Sequence, residues 1–192
     1  MYITTYTGRH VNPLDPHPED FCIEDIAHSL SQQVRFTGHT RLPMTIAEHS
    51  LNVSYLCPKE HQLAGLLHDA SEAYLVDLPS PIKHDPEMGV FLLAEDRLQH
   101  AIATAFDIPF GFSSHVHIAD KLALGIEARD LMNVADDPNW AKWIDPIRDH
   151  PLSVSQPMSP RVAEMHFLAK YYELTYNHSA RSVIAPAVKG DS

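Results

Sequence analysis

The stretch Gly65-Leu66-Leu67-His68-Asp69-Ala70-Ser71-Glu72 constrains this chain most. It sets an imidazole beside a carboxylate at the end of an apolar run, Leu63, Ala64, Leu66 and Leu67, that reads as a buried helix. Polar groups in such a place must be satisfied, because an unpaired buried carboxylate is strongly destabilising. A divalent cation would satisfy both at once. On a continuous helix Glu72 falls four residues past His68 and three past Asp69, so it shares their face. Ligands together with a nearby acid that is not forced to ligate are what a hydrolytic metal site requires.

The 192 residues are enough for one domain with a sizeable core. The formal charge of −11 argues against a general basic surface for long nucleic acids, but leaves room for a small anion in a local pocket. Fourteen histidines make metal or proton chemistry plausible. Cys22 and Cys57 stand outside any zinc-type spacing and suit a reduced, cytoplasmic protein. No apolar run approaches the roughly 18 residues needed to span a membrane. The N-terminus lacks the basic and apolar regions of a signal peptide.

Along the chain, residues 1–12 alternate around Gly8 and predict a short hairpin within an N-terminal extension of residues 1–20. Ile23, Ile26, Ala27, Leu30 and Val34 predict a first helix ending near Arg35, with a turn at Gly38. Thr45-Ile46-Ala47-Glu48 reads as a capping box opening a second helix that Pro58 stops. A third helix is expected from Pro58 to about Tyr74, followed by a non-helical loop at Asp77-Leu78-Pro79-Ser80-Pro81. A fourth starts at Asp85-Pro86 and breaks at Pro109 to Gly111. A fifth, capped by Ser113 or Ser114, runs to about Met132. Residues 134–160 carry five prolines and read as a surface excursion with a short helix at Trp140 to Trp143. A last helix opens at Ser159-Pro160, and residues 178–192 read as a loose tail. The expected fold is all-α, a single-domain bundle of about six main helices.

His49, the His68-Asp69 pair and Asp120 place ligand groups on three of these helices, His49 and Asp120 both on otherwise apolar ground. Two imidazoles and two carboxylates suit one divalent ion, Mn, Fe, Co, Ni, Zn or Mg. Four protein ligands in a loose octahedron leave positions for water and a substrate oxygen. A lone His or Asp in a helix is more often hydrogen-bonded structure; the adjacent pair followed by Glu72 is what shifts that reading. Glu127, Arg129 and Asp130 read as intrahelical ion pairs, and His115 and His117 fall on different helix faces. Trp140 and Trp143 read as pins for the proline-rich segment, against the body or a neighbouring subunit.

The combination of Val34-Arg35-Phe36, Ala47-Glu48-His49, Leu67-His68-Asp69-Ala70-Ser71-Glu72, Asp77-Leu78-Pro79-Ser80-Pro81-Ile82-Lys83 and Ala119-Asp120 resembles the HD-domain metal-dependent phosphohydrolases. The resemblance runs from about Ile23 to Leu174. It looks most like the branch of bacterial 5′-deoxynucleotidases and phage enzymes that remove triphosphate from dATP. It implies that His49, His68, Asp69 and Asp120 hold the metal, that Glu72 is the nearby acid, and that Asp77 positions or deprotonates the attacking water. It also implies that Arg35 grips a phosphate, with Lys83 a second anion contact and Phe36 against the sugar or base. The segment Thr37-Gly38-His39-Thr40-Arg41 departs from the pattern of the simple monophosphatase, so His39 and Arg41 could add phosphate or base contacts.

Elementary chemistry agrees with that set. Phosphoester hydrolysis needs charge neutralised on the phosphoryl oxygens and a water aimed in line. An ion and Arg35 serve the first need, and a carboxylate beside the ion serves the second. Arg can hold phosphate oxygens through two parallel hydrogen bonds. The competing readings are a solvated helix end for Arg35, core for Phe36, surface for Lys83, and a wet helix end and a turn for Glu72 and Asp77. The expectation is therefore a cytoplasmic, homo-oligomeric enzyme cleaving the 5′ phosphoester of 2′-deoxynucleotides, to phosphate or to triphosphate. Its rivals are a non-catalytic metal-containing sensing module and a phosphodiesterase of cyclic or linear dinucleotides.

Overall fold

The computed structural model describes residues 1–183, with side chains described through Tyr176. The expected hairpin pairs β1 (Ile3–Thr4) with β2 (His10–Val11), antiparallel, around Gly8 at a positive φ of 87°. It is tied to α1 (Ile23–Gln32) by Asp25. That buried carboxylate accepts from Thr5 Oγ1 at 2.7 Å, Thr7 N at 2.7 Å, Thr7 Oγ1 at 2.9 Å and Cys22 Sγ at 3.0 Å. The α1 helix stops at Gln32, short of Arg35, because the chain there switches to extended backbone. Val34 bridges Thr45, Arg35 N donates to Met44 O, and Ile46 N donates to Gln33 O.

The central element is α2 (Ile46–Leu56), which packs against α1 and against the helices at Gln62–Leu66, Ser114–Leu131 and Pro160–Val183. Thr45 caps it by accepting from Glu48 N at 3.1 Å. Only half of the expected capping box forms: the Glu48 carboxylate accepts from Met158 N at 2.8 Å instead of reaching back. Every residue of α2 from Ile46 to Ser54 is buried. Its polar side chains, Glu48 and His49 among them, therefore face other parts of the protein rather than water.

The expected third helix is broken. A 3-10 turn (Lys59–His61) leads into α3 (Gln62–Leu66), and α4 (Glu72–Leu75) follows after a turn that holds His68 and Asp69. The cause is local. His68 Nδ1 takes the carbonyl of Gly65 at 2.9 Å, the acceptor that Asp69 N would need to continue the helix. Shorter bonds then follow, Ala70 N to Leu67 O and Glu72 N to Asp69 O. Gln99 clamps the turn from outside, accepting from Ser71 N and donating to Leu67 O. Gly65 is needed where α3 crosses α2, since a Cβ there would lie 2.9 Å from Cys57 Sγ.

Beyond α4, Val76 takes a φ of 82°, strained for a β-branched residue, and turns the chain toward Asp77. Ser80 and Pro81, expected in a loop, open the one-turn α5 (Ser80–Lys83), with Pro81 in its first turn, where it is tolerated. Asp85 caps a 3-10 turn before α6 (Gly89–Ala105), and α7 spans Ser114–Leu131. The apolar residues of α6 are divided: Leu98 and Ile102 are buried, while Val90 and Leu93 are exposed.

The proline-rich segment forms α8 (Pro138–Ile144) and is fastened to α7. Trp140 packs with Ala128, Val134 and Ile144, and a Cβ on Gly125 would stand 2.7 Å from the Trp143 carbonyl. Arg129 donates to the carbonyls of Ile147, His150 and Leu152. Helix α9 (Pro160–Val183) closes the bundle, with Ala163 and Phe167 joining Ile26, Leu30, Leu51, Leu66 and Ile102 in the main core. The loose tail expected from residue 178 is helical backbone as far as Val183, and the rest of it lies outside the described residues. No helix among the described residues is long and apolar enough to cross a membrane.

The Asp25 carboxylate is held below the usual carboxylate range: burial pushes it up, and the hydrogen bonds from Cys22, Thr7 and Thr5 outweigh that. Its stabilisation is therefore full above the unfolded value and lost as pH falls through the folded one. Asp25→Ala is expected to cost about 1.5–3 kcal/mol in urea denaturation at neutral pH. The gap to wild type should narrow below about pH 4.

Candidate active site

Three segments of the bundle bring four side chains to one point. His49 comes from α2, His68 and Asp69 from the α3–α4 turn, and Asp120 from α7. His49 Nε2 lies 3.5 Å from Asp69 Oδ2 and 3.3 Å from Asp120 Oδ1. His68 Nε2 lies 3.1 Å from Asp69 Oδ2 and 3.8 Å from Asp120 Oδ1. Ligand atoms of His49, His68 and Asp69 all fall within 4.8 Å of one another, and this group could hold a metal ion. Asp120 borders it from the more exposed side.

The outer nitrogens are fixed. His49 Nδ1 meets Glu127 Oε1 at 2.6 Å, and His68 Nδ1 donates to the Gly65 carbonyl at 2.9 Å. With Nδ1 protonated, each neutral imidazole turns the Nε2 lone pair toward the cluster. Both Nε2 atoms are buried, yet neither forms a hydrogen bond of proper geometry among the described residues. Buried nitrogens in that state, facing carboxylates, are the donor set a divalent cation completes.

Charge is concentrated here. Burial lowers the proton affinity of His68, but the carboxylates of Asp69 and Asp120 outweigh it and raise the imidazole well above its ordinary value. For His49, burial and the Arg35 cation pull down, and Glu127 and Asp120 raise it on balance. Asp69 and Asp120 are half-buried, which pushes their carboxyls up, but the attraction of the same imidazoles outweighs that and holds both below the usual range. Glu72 behaves oppositely. Burial, with Asp69 and Asp77 beside it, pushes it up to about 9, so it carries a proton at neutral pH. One of its oxygens is buried with no partner among the described residues. Asp77, at the mouth of the turn, is raised by burial and by Asp69 against the pull of Arg35.

Arg35 reaches this group, but not as a solvated helix end. Its Nε and Nη2 donate to Glu127 Oε2 at 3.2 and 3.1 Å, and its pKa is raised: burial opposes its charge, and Glu127, Asp69, Asp77 and Glu72 outweigh that. Lys83 lies in the same field but is paired, Nζ to Glu95 Oε1 at 2.6 Å. Phe36 takes a φ of 53° and Thr37 a φ of 51°. The strained turn sets the Phe36 ring 5.4 Å from the Arg35 guanidinium and 6.5 Å from Trp140. His39 stays on the exposed side of that turn, and no contact joins it to the cluster among the described residues. Arg41 is used elsewhere, donating to the carbonyls of Asp130 and Met132 at the end of α7.

Glu127 was not legible as a site residue. The sequence reads it as part of an intrahelical ion pair with Arg129 and Asp130; of these only Arg129 and Asp130 pair, and Glu127 is fully buried. The available signal was spacing: Glu127 follows Asp120 by seven residues, two helical turns, and so shares its face.

No family model matches the chain. It is 30% identical over 174 residues to the uncharacterized protein YfdR of Escherichia coli, an alignment covering 91% of this chain and 96% of that one. It is 36% identical over 132 residues to an uncharacterized protein of Rhodobacter capsulatus, covering 64% of this chain and 67% of the relative. The chain belongs to the same family as YfdR.

Because the His49 and His68 imidazoles have raised proton affinities, protons would compete with a cation for Nε2. Affinity for Co²⁺ or Mn²⁺ is expected to rise with pH through the ordinary imidazole range, about 6.5, and to go on rising above it. Calorimetry in buffers of different ionisation enthalpy should record proton release on binding.

Proposed function

Starting from a YfdR-family chain, we propose that it is a metal-dependent phosphohydrolase of the HD type that cleaves the 5′ phosphoester of 2′-deoxynucleotides. The observation that carries this reading is the pair of buried, unbonded Nε2 atoms of His49 and His68 facing the Asp69 and Asp120 carboxylates. In the proposal these four side chains hold one divalent ion, Co, Mn, Zn, Fe, Ni or Mg. Such an ion would polarise a phosphoryl oxygen and lower the pKa of water beside it.

The remaining residues divide the work. Asp77 is half-buried, raised in pKa, and has no hydrogen bond to its carboxylate among the described residues, which suits it to orient the attacking water and take its proton. Glu72, buried and raised in pKa by its surroundings, is placed to supply a proton to the departing 5′ oxygen. Arg35 presents a guanidinium to the phosphate, and Phe36 with Trp140 forms an aromatic corner for the sugar or base. A purely structural ion would have no use for a buried acid such as Glu72, one oxygen unpartnered among the described residues, so the non-catalytic sensing module is the weaker account. The same chemistry serves a monophosphate or a triphosphate.

Purified protein loaded with Mn²⁺, Co²⁺, Zn²⁺ or Mg²⁺ is to be offered dNMPs, dNTPs and the matching ribonucleotides. Release of phosphate or triphosphate from the deoxy series is expected; turnover of none of them would remove the assignment. Glu72→Ala is expected to lower kcat by about 10²- to 10⁴-fold while retaining the ion, read by elemental analysis of the same sample.

A further inference from the structure

We infer that Glu127 is the positioning residue of this site, one carboxylate that aims both the cation-binding imidazole of His49 and the anion-binding guanidinium of Arg35. The inference rests on the phosphohydrolase reading for what the two subsites bind, and on geometry for the connection between them.

Both oxygens of Glu127 are committed. Oε1 takes His49 Nδ1 at 2.6 Å, and Oε2 takes Arg35 Nε and Nη2 at 3.2 and 3.1 Å. The carboxylate is fully buried, and the Arg35 side chain is only 12% exposed. Glu127 is shielded from bulk solvent, and the orientation of each partner is set by the same two oxygens. On His49, the contact fixes the ring plane and keeps the proton on Nδ1, leaving Nε2 to the cluster. On Arg35, Glu127 occupies the Nε side of the guanidinium. That leaves the end of the fork, Nη1 and the second hydrogen of Nη2, without a partner among the described residues. The end-on pair is the one that matches two oxygens of a phosphate.

A carboxylate is the group this position needs. A carboxamide of the same size is an uncharged, weaker acceptor for His49, and its N–H donors face the Arg35 donors. A shorter carboxylate is withdrawn from both partners at once, since one oxygen serves each. The loss should therefore appear at both subsites and not as a general loosening of the fold.

The test uses the full chain and two probes, Co²⁺ and inorganic phosphate, measured by titration calorimetry on folded protein well below its Tm. Glu127→Gln is expected to weaken Co²⁺ binding by about 10- to 100-fold and to alter the Co²⁺ absorption spectrum. Phosphate binding to protein saturated with Co²⁺ is expected to fall by at least about tenfold, the loss of a well-aimed charged contact. If Glu127→Gln does not fold, Glu127→Asp keeps the buried charge and is read by the same two affinities, both expected to fall. A folded variant with a lowered Tm but both affinities within about twofold of wild type overturns the inference, and so does loss at one subsite alone. Failure of the wild-type protein to turn over any nucleotide would sink the enzymatic reading and leave these two binding results standing.

Discussion

A carboxylate taken wholly out of water must be neutralised by groups that come to it, because burial without a partner is far more costly than any single contact it makes. Glu127 meets that condition with partners 92 and 78 residues away in sequence, Arg35 and His49. The pairing does more than cancel charge. It sets the rotation of α7 about its axis, since only one orientation points Glu127 inward. Asp120 lies two turns earlier on the same face and is delivered to His49 and His68 by that rotation. It also explains why α2, buried along nearly its whole length, can carry a histidine in its first turn. The imidazole has a fixed acceptor on one side and a cluster of carboxylates on the other.

The second constraint is a helix that is prevented from continuing. His68 captures the Gly65 carbonyl, and the ladder of hydrogen bonds cannot pass through Asp69. The resulting turn places both side chains of the pair toward the same point, and Gln99 from α6 fixes the turn by holding Leu67 and Ser71. Strain is stored on either side of this centre, at Val76 before Asp77 and at Phe36-Thr37 after Arg35. Each such conformation costs about 1–3 kcal/mol and persists where the surroundings over-determine it. In both places the strained residue adjoins a charged side chain that faces the cluster.

Much of this is legible in the sequence. Thr45 as a cap, the turn at Gly8 and the break at Pro109 all follow from local chemistry, which residue types report directly. The four clustered side chains were legible as a set through spacing and resemblance. What escaped was anything decided by competition between distant or non-periodic partners. Periodicity sees side chains at helical intervals from Leu63 to Tyr74 and cannot see a histidine taking a backbone acceptor. Glu127 stands beside Arg129 and Asp130, and an acid among charges reads as solvated; only its seven-residue interval from Asp120 marked it. Arg35 read as a helix end because nothing nearby in sequence announces the extended pairing of residues 33–35 with 44–46. Ser80 and Pro81 read as loop because two prolines hide the single helical turn that a first-turn proline permits.

The charge balance of the site dictates an order of events for any anionic ligand. Asp69, Asp120, Glu127 and Asp77 crowd one region of a chain whose formal charge is already −11. The two cations in the same field are both engaged, Lys83 with Glu95 and Arg35 with Glu127. A phosphate approaching this region without a divalent ion therefore meets more negative charge than positive, at distances where ionic screening is incomplete. A cation among the imidazoles offsets most of that negative charge, and the unpaired end of the Arg35 fork becomes the natural second contact. Lysine could not take that part, since its single ammonium is consumed by one carboxylate, whereas a guanidinium retains two aligned donors after giving two away. The residue at position 35 is thus selected by the need to serve a buried anion and an incoming one at the same time.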